Sequence, residues 1–212
     1  MILLFNFLLG LTVTLFILKS FFSFIYFQKI NKLEKTGINE SNYTAVQPIL
    51  SGDTRLEEDL TANLKNTEDM KFIWLVDKSD STAIKTVEKI LEKENYSDRV
   101  EVYKLDDVPQ EVNPKIFKLA QIVDKIKTEY TVILDDDSVM DRKRLDELSI
   151  YEKDKSEWIA TGIPFNSNIS GFYSKLISAF INSNSIFSYF SMSFLKENWT
   201  INGMFYILRT DI

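Results

Sequence analysis

Segments of strand length and helix length alternate between Thr44 and Asp135, and this alternation constrains the fold of the 212-residue chain more than any other feature. The predicted strands are short runs of aliphatic, β-branched and aromatic residues: Ala45–Leu50, Lys71–Val76, Val100–Leu105 and the run that ends at Asp135. The predicted helices are Leu56–Leu64, Thr82 to about Glu94, and a helix that opens at Asn113–Pro114 and continues through Lys127. Such alternation predicts an α/β fold with a mostly parallel, Rossmann-like sheet flanked by helices.

A long apolar segment precedes these elements. Residues Ile2–Phe27 are almost entirely apolar, and roughly 20 such residues suffice to cross a membrane as a helix. Lysines follow the segment directly, and by the positive-inside rule the rest of the chain is expected to face the cytoplasm. The membrane that we expect is a bacterial inner membrane. We therefore predict a transmembrane anchor over 1–28, a polar linker over 29–43 and an α/β domain over 44–212. A buried core helix and a removable signal peptide are the alternatives, although the segment lacks the basic start and cleavage site of a signal peptide.

The composition excludes several classes of function. The chain has no cysteine and no histidine, so disulfides, thiol chemistry, zinc sites of the usual type and a histidine base are all absent. The formal net charge is −6, and we expect no nucleic-acid partner. No glycine-rich phosphate loop is present, which removes the main support for an ATPase or a dehydrogenase.

Acidic residues follow three of the predicted strands. Ser51-Gly52-Asp53, Asp77-Lys78-Ser79-Asp80 and Asp135-Asp136-Asp137 each come where a strand ends. In parallel sheets the carboxyl ends of the strands lie at one edge, and ligands bind there. The sequence therefore predicts that these three acidic groups converge on a binding site.

The three consecutive aspartates are the strongest candidate metal site. Like charges repel one another, and Mg²⁺ or Mn²⁺ bound to carboxylates and diphosphate oxygens would compensate them. Asp135 and Asp137 project to the same side if the strand conformation persists, which leaves Asp136 on the other face. The alternative is a solvated acidic turn that leads to Asp141, the cap of a helix over Arg142–Leu148.

Other polar residues near the strand ends have two interpretations each. Asp77 or Asp80 can accept hydrogen bonds from a base or a ribose, but Asp80 also suits the N-cap of the helix near Thr82. Lys115 can approach a diphosphate, or it can be a solvent-facing helix lysine.

Taken together, these segments resemble the GT-A glycosyltransferases of family 2, in particular the ceramide glucosyltransferase-like branch that includes hopanoid-associated transferases. The resemblance is spread from about Ala45 to Asp211 over matching runs: Val46–Asp53 with Leu56–Leu60, Leu75–Asp80, Asn113–Lys115, Leu134–Ser138, Thr161–Phe165 and Ile201–Met204.

The resemblance implies transfer of a sugar from a nucleotide-sugar, commonly a UDP-sugar, to a lipid acceptor with Mg²⁺ or Mn²⁺. Asp135 and Asp137 would be the Asp-x-Asp pair that holds the metal and the diphosphate. The donor-site residues would be Pro48, Asp53, Asp77, Asp80, Asn113, Lys115 and Asp135. Gly171–Leu195 is predicted as an interfacial helix or helix pair that brings the lipid close, with ordinary core packing as the alternative.

The chain departs from the family at its end. In the family the general-base aspartate lies beyond the Asn-Gly-Met segment, and a Gln-x-x-Arg-Trp-like motif follows, whereas this sequence ends at Ile212. Asp211 comes too early to be the base, so the catalytic base is expected beyond Ile212. The resemblance therefore favours a truncated or split transferase. The alternatives are a catalytically incomplete fragment that binds the donor or scaffolds a second polypeptide, and a membrane-anchored Asp-dependent phosphotransferase.

Overall fold

A computed structural model describes residues 1–94, 96–152, 158–167, 169–195 and 201–211. The strands are β1 (Tyr43–Pro48), β2 (Lys71–Asp77), β3 (Val100–Leu105), β4 (Tyr130–Leu134), β5 (Ile159–Thr161) and β6 (Phe205–Arg209). The α-helices are α1 (Ile2–Asn31), α2 (Leu56–Lys65), α3 (Ser81–Glu94), α4 (Pro114–Ala120), α5 (Arg142–Leu145), α6 (Ser149–Glu152) and α7 (Gly171–Leu195). Short 3₁₀ helices cover Glu40–Asn42, Val123–Lys125 and Asp146–Leu148.

The six strands form one mixed sheet with the order β3-β2-β1-β4-β6-β5. Strands β1 to β4 are parallel to one another, whereas β6 pairs antiparallel with β4 and β5 pairs antiparallel with β6. The predicted α/β class with a mostly parallel sheet, helices around it and an apolar helix before it is confirmed. The strands predicted to carry the acidic ends are neighbours, since β1 lies between β2 and β4.

Both faces of the sheet are covered, as the near-continuous apolar sequences of its central strands require. On one face Phe72, Trp74 and Val76 of β2 pack with buried residues of α2 and α3. On the other face Ile73 and Leu75 pack with the segment that begins with α4. The alternation of these neighbours along β2 is the two-residue period of a strand buried on both sides.

Several element boundaries differ from those predicted. The helix predicted through Lys127 is too long, because α4 ends at Ala120 and a 3₁₀ turn over Val123–Lys125 replaces its last part. The helix predicted over Arg142–Leu148 is α5 followed by a 3₁₀ turn, and Asp141 caps it by accepting a hydrogen bond from Lys143 N. Strands β5 and β6 were not predicted.

The segment predicted as a linker contains ordered contacts. Glu40 is buried, and its Oε2 accepts hydrogen bonds from the amides of Glu68 and Asp69 at 2.5 and 3.0 Å. Its Oε1 lies 3.2 Å from Arg142 Nε. The chain directly before β1 is therefore held to the sheet domain.

The described residues divide into two compact units. One unit holds Lys35–Gly162 and Gly203–Ile212, which include the whole sheet, and the other holds Met1–Glu34 and Ile163–Asn202. The stretch 163–202, expected to belong to the α/β domain, thus groups with the N-terminal helix α1. The domain limits 1–28, 29–43 and 44–212 otherwise stay predictions.

The second unit consists mainly of α1 and α7. Within the described part of the chain, α1 is the one helix that is long and apolar enough to cross a membrane, judged by length and composition. The segment Gly171–Leu195, predicted as one helix or a pair, is one continuous helix.

Candidate functional site

The loop that follows β1 is tied to both neighbouring strand ends. Leu50 N donates a hydrogen bond to Asp136 Oδ2 at 2.7 Å, and Ser51 N donates to Asp80 Oδ2 at 2.8 Å. Ile49 N donates to Leu75 O at 2.8 Å, which prolongs the pairing of β1 with β2. The carboxyl ends of β1, β2 and β4 therefore form one connected edge, as predicted from the parallel order.

Asp80 serves as a cap. Its Oδ1 accepts a hydrogen bond from Ala83 N at 2.9 Å at the start of α3, which is the alternative that the sequence left open. Burial alone would raise the pKa of Asp80, but the amides of Ala83 and Ser51 outweigh it and lower the pKa. Both oxygens are thus bound to backbone amides, and contact with a nucleotide stays a prediction.

Asp136 is the aspartate of the triplet that supports the loop. Burial raises its pKa, the Leu50 amide opposes that rise, and the neighbouring Asp137 and Asp135 add to it. Its carboxylate faces the β1 loop, so it is the least suited of the three to bind an ion.

Lys115 contacts the first aspartate of the triplet. Its Nζ forms an ion pair with Asp135 Oδ1 and donates to the carbonyl oxygen of Gly203, and it lies 5.9 Å from the ring centroid of Tyr206. Asn113 places this lysine, because its Oδ1 accepts a hydrogen bond from Ile116 N at 3.2 Å and so caps α4. Lys115 is therefore part of the strand-end cluster and not a lysine that faces only solvent.

The aspartate triplet lies in a turn. Strand β4 ends at Leu134, and Ser138 N donates to Asp135 O at 3.2 Å. The alternation of a strand therefore does not apply to Asp135 and Asp137, and the expectation that they project alike on that ground is not met. Asp137 is exposed, and Ser138 Oγ donates to its Oδ1 at 3.4 Å.

The donor set fits a hard divalent ion that a ligand completes. Carboxylate oxygens are the groups that Mg²⁺ and Mn²⁺ prefer. Across the ranges that the structure describes, no group of three or more acidic, histidine or cysteine residues could hold an ion unaided. An ion at Asp135 and Asp137 would therefore take most of its ligands from diphosphate oxygens and water, which is usual for Mg²⁺.

A buried ion pair at the end of β2 was missed by the sequence reasoning. Lys118 Nζ lies 3.0 Å from Asp77 Oδ2, and the two side chains are 4% and 16% exposed. Lys118 Nζ also donates to Ile49 O at 3.4 Å. The other oxygen, Asp77 Oδ1, is buried and has no hydrogen-bond partner among the described residues. Asp77 thus has one buried acceptor at the strand end that no described residue uses.

The sequence contains a signal for Lys118. Ile122 lies one helical turn further along and is buried in the core, so Lys118 occupies a position where the apolar face of α4 would be expected to continue. A lysine at such a position needs a carboxylate partner nearby, because an unpaired buried ammonium is costly.

Two further predicted residues lie at the margin of this edge. Pro48 is half-buried and pairs with Leu75 in the β1–β2 ladder. Asp53 is exposed, and its Oδ1 accepts a hydrogen bond from Arg55 N at 2.8 Å ahead of α2. Their assignment to a donor site stays a prediction.

Comparisons with known proteins place the fold. No protein-family model and no curated protein matches the sequence. Among solved structures, the chain is similar to the mannosyltransferase PcManGT from Pyrobaculum calidifontis in complex with GDP-Man and Mn²⁺. The TM-score is 0.59 and the identity 12%, over 95% of this chain and 55% of that one. TarS from S. aureus matches with a TM-score of 0.46 and 13% identity, over 79% of this chain and 47% of that one. The chain spans about half the length of these proteins, and the likeness to the mannosyltransferase shows that the two share a fold.

Proposed function

We propose that the chain is a membrane-anchored glycosyltransferase that binds a nucleotide-sugar at the carboxyl edge of β1, β2 and β4 and serves a lipid acceptor. Two ion pairs at the carboxyl edge of the sheet, Lys115–Asp135 and the buried Lys118–Asp77, carry this proposal. The loop after β1 is bonded to the same edge, because Ile49 O accepts from Lys118 and Leu50 N donates to Asp136. A fold shared with a mannosyltransferase whose structure holds GDP-Man and Mn²⁺ supports the same class of donor. The resemblance of the sequence motifs favours a UDP-sugar and an acceptor like that of ceramide glucosyltransferases.

The residues of the edge have complementary roles in this proposal. Asp77 accepts a hydrogen bond from an N–H of the base or a hydroxyl of the ribose, because Lys118 occupies only one of its two oxygens. Lys115 neutralises the diphosphate with an ammonium that is already placed beside Asp135. Asp80 and Asp136 hold the loop over which the nucleotide lies.

Asp135 and Asp137 would hold Mg²⁺ or Mn²⁺ together with the diphosphate. When bound, such an ion stabilises the negative charge that develops on the departing nucleoside diphosphate. We assign no general base among the described residues, because the resemblance places that aspartate after the Asn202–Met204 segment. A second polypeptide that supplies the base is the corresponding proposal for a chain that binds the donor alone.

Binding of the nucleotide tests the site. The full chain in detergent is titrated calorimetrically with UDP, and in parallel with GDP, in the presence of Mn²⁺, Mg²⁺ or EDTA. We expect metal-dependent binding that weakens at least about tenfold in Asp137→Ala, because a lost metal ligand costs on the order of 1.4 kcal/mol or more. Asp106→Ala is the matched control, since Asp106 is an exposed carboxylate near the same edge that pairs only with Lys78.

The outcomes separate the roles. Nucleotide binding that is unchanged by EDTA and by Asp137→Ala contradicts the metal assignment, and no binding to the folded chain contradicts the donor site. Transfer from a labelled nucleotide-sugar to membrane lipids by the isolated chain supports a complete transferase. Binding without transfer supports a donor-binding chain that acts with a second polypeptide.

The anchor is part of the proposal. Helix α1 has the length and composition of a span, and the flanking lysines Lys29, Lys32 and Lys35 favour a cytoplasmic sheet domain. A cytoplasmic location gives the site access to nucleotide-sugars.

A further inference from the structure

Helix α7 packs against α1 through aromatic rings in its second half. The ring centroids of Phe187 and Phe16 are 5.3 Å apart, and those of Phe194 and Phe22 are 5.0 Å apart in a stacked arrangement. The ring centroids of Phe190 and Tyr26 are 5.4 Å apart. Aromatic pairs at these separations attract one another beyond the effect of the area they bury. The second half of α7 is therefore fixed to a helix that we propose to lie in the membrane.

The first half of α7 carries an unpartnered apolar strip. We use the name outer strip for Phe172, Leu176, Ile177 and Phe180, which recur at helical spacing and are exposed. Phe172 and Phe180 are 74% and 67% exposed. A continuous apolar strip of this kind is unfavourable in water and marks a surface that contacts lipid or protein.

Three serine hydroxyls of α7 are bonded within the helix itself. Ser183 Oγ, Ser191 Oγ and Ser193 Oγ donate to the carbonyls of Ala179, Phe187 and Tyr189, one turn earlier in the helix. The same pattern occurs in α1, where Thr12 and Thr14 and Ser20 donate to the residues four positions before them. In a bilayer polar groups must be satisfied inside the protein, and these bonds meet that condition for the six hydroxyls named, whereas the buried Ser23 Oγ has no partner among the described residues.

Small polar residues also mark the most buried positions of both helices. Ser23 of α1 and Ser178 and Ser191 of α7 are buried, whereas the large apolar side chains of the outer strip are exposed. Small residues at buried positions let helices approach closely in lipid, and large apolar side chains that are exposed suit a surrounding of acyl chains.

We propose that α7 lies in the lipid bilayer beside α1, with the outer strip in contact with acyl chains. Lys175 is the one charged residue of the helix, and it sits next to Tyr173 in the first turns. A lysine stem can reach the headgroups from such a position, and tyrosine favours the same depth. The inference rests on the proposed anchoring by α1, and it adds a second lipid-contacting element that a hydropathy search does not detect.

Because the chain has no native cysteine, a spin label can be attached at one introduced cysteine without further changes. Single variants Ile177→Cys and Phe180→Cys report on the outer strip. Leu9→Cys on the exposed surface of α1 is the reference for the anchor, and Glu88→Cys on the exposed face of α3 is the reference for water. The full chain is labelled in vesicles of phosphatidylcholine and phosphatidylglycerol, and collision with oxygen and with a water-soluble nickel complex is measured.

We expect the labels at 177 and 180 to have high oxygen and low nickel accessibility, as the label at position 9 should. The ratio of oxygen to nickel accessibility at 177 and 180 should be several-fold higher than that at position 88. Labels at 177 and 180 that match Glu88 while Leu9 lies in lipid overturn the inference and leave the anchor intact. A label at Leu9 that is also exposed to nickel overturns the anchor itself. Protection from both probes with spin–spin broadening shows that a second copy covers the outer strip, and it overturns the lipid contact.

Discussion

Lys118 and Asp77 form the most consequential pair of the sheet domain. Both charges are largely removed from water, so each depends on the other for compensation. Replacing Lys118 by methionine keeps the length and shape of the side chain but leaves the Asp77 carboxylate unpaired. We expect the Lys118→Met change to lower the free energy of unfolding by about 3 kcal/mol, measured by urea denaturation at pH 7.

The double variant Lys118→Met/Asp77→Asn is the control for that prediction. Because it removes both charges, it should recover much of the stability that Lys118→Met loses. Equal destabilisation by the single and the double change would mean that packing around α4, and not the charge pair, determines the effect. Nucleotide binding should fail in both, since both alter the acceptor at Asp77.

The pKa of Asp80 predicts a pH dependence of stability. Because amide donors lower this pKa in the folded chain, the ionised carboxylate contributes stability above its unfolded pKa, which is about 3.9. That contribution is lost as the pH falls through the lower pKa of the folded state. In Asp80→Asn the side-chain amide oxygen still caps α3, but the contribution of the ionised carboxylate to the free energy of unfolding is absent. We expect the difference in unfolding free energy between wild type and Asp80→Asn to shrink from pH 6 to pH 2.5.

A difference that stays constant over this range would contradict a lowered pKa. Asp53→Asn is a suitable comparison, because its carboxylate is exposed and accepts one local amide. Its unfolding free energy should differ little from that of wild type at either pH, as is usual for surface substitutions.

Residue types could be predicted better than residue contacts. The sequence indicated that Asp77 and Asp135 lie at one edge and that Lys115 could approach a diphosphate, and the structure brings Lys115 to Asp135. It could not assign Asp136 to the Leu50 amide or Lys118 to Asp77, because both contacts join segments far apart in the chain. The sequence alone does not distinguish an acidic residue that would bind an ion from one that accepts hydrogen bonds from a loop.

At the scale of elements, two glycines of the motifs that carry the resemblance differ sharply in their surroundings. A Cβ on Gly162, just after β5, would lie 2.5 Å from the Phe205 ring in β6, whereas a Cβ on Gly203 would meet nothing within 4 Å. Gly162 N also donates to Phe205 O at 3.1 Å, so the backbone cannot easily move away. Gly162 therefore permits the close approach of β5 to β6.

We expect Gly162→Ala to lower the free energy of unfolding by roughly 1–3 kcal/mol, the usual cost of overpacking. Gly203→Ala is the matched control and should change it by less than about 0.5 kcal/mol, since the site is open. Thermal or urea unfolding of both variants measures the difference. Equal stability of the two variants would show that the Phe205 ring moves without cost.

Elements with local signals were predicted well, and those that depend on distant partners were not. Val100–Leu105 was predicted with its observed bounds, and the Asn113 cap placed the start of α4 correctly. The end of α4 was missed because the apolar residues up to Ile126 continue the helical spacing while the chain turns at Gln121. β6 was missed because a run of five mostly apolar residues becomes an antiparallel strand only through its pairing with β4.

At the scale of the molecule, the chain passes from one unit to the other and back again. It leaves the sheet after Gly162, forms α7 beside α1, and returns at Gly203 to pair β6 with β4. The segment that closes the sheet at β6 and the segment proposed to contact lipid are therefore consecutive in sequence.

The orientation that we propose rests on the charges that flank α1, and it can be tested by labelling. Single-cysteine Glu88→Cys on α3 is treated in intact cells with a membrane-impermeant maleimide. We expect labelling only after permeabilisation, because by the positive-inside rule Lys29 and Lys32 favour the cytoplasmic side for the sheet domain. Adding Lys29→Gln and Lys32→Gln removes part of the positive charge that favours the cytoplasmic side, and it should raise labelling in intact cells. Lys35 is left unchanged because it pairs with Glu147. Full labelling of Glu88→Cys in intact cells before any lysine is changed would place the sheet, and with it the proposed donor site, on the side opposite to the cytoplasmic nucleotide-sugars.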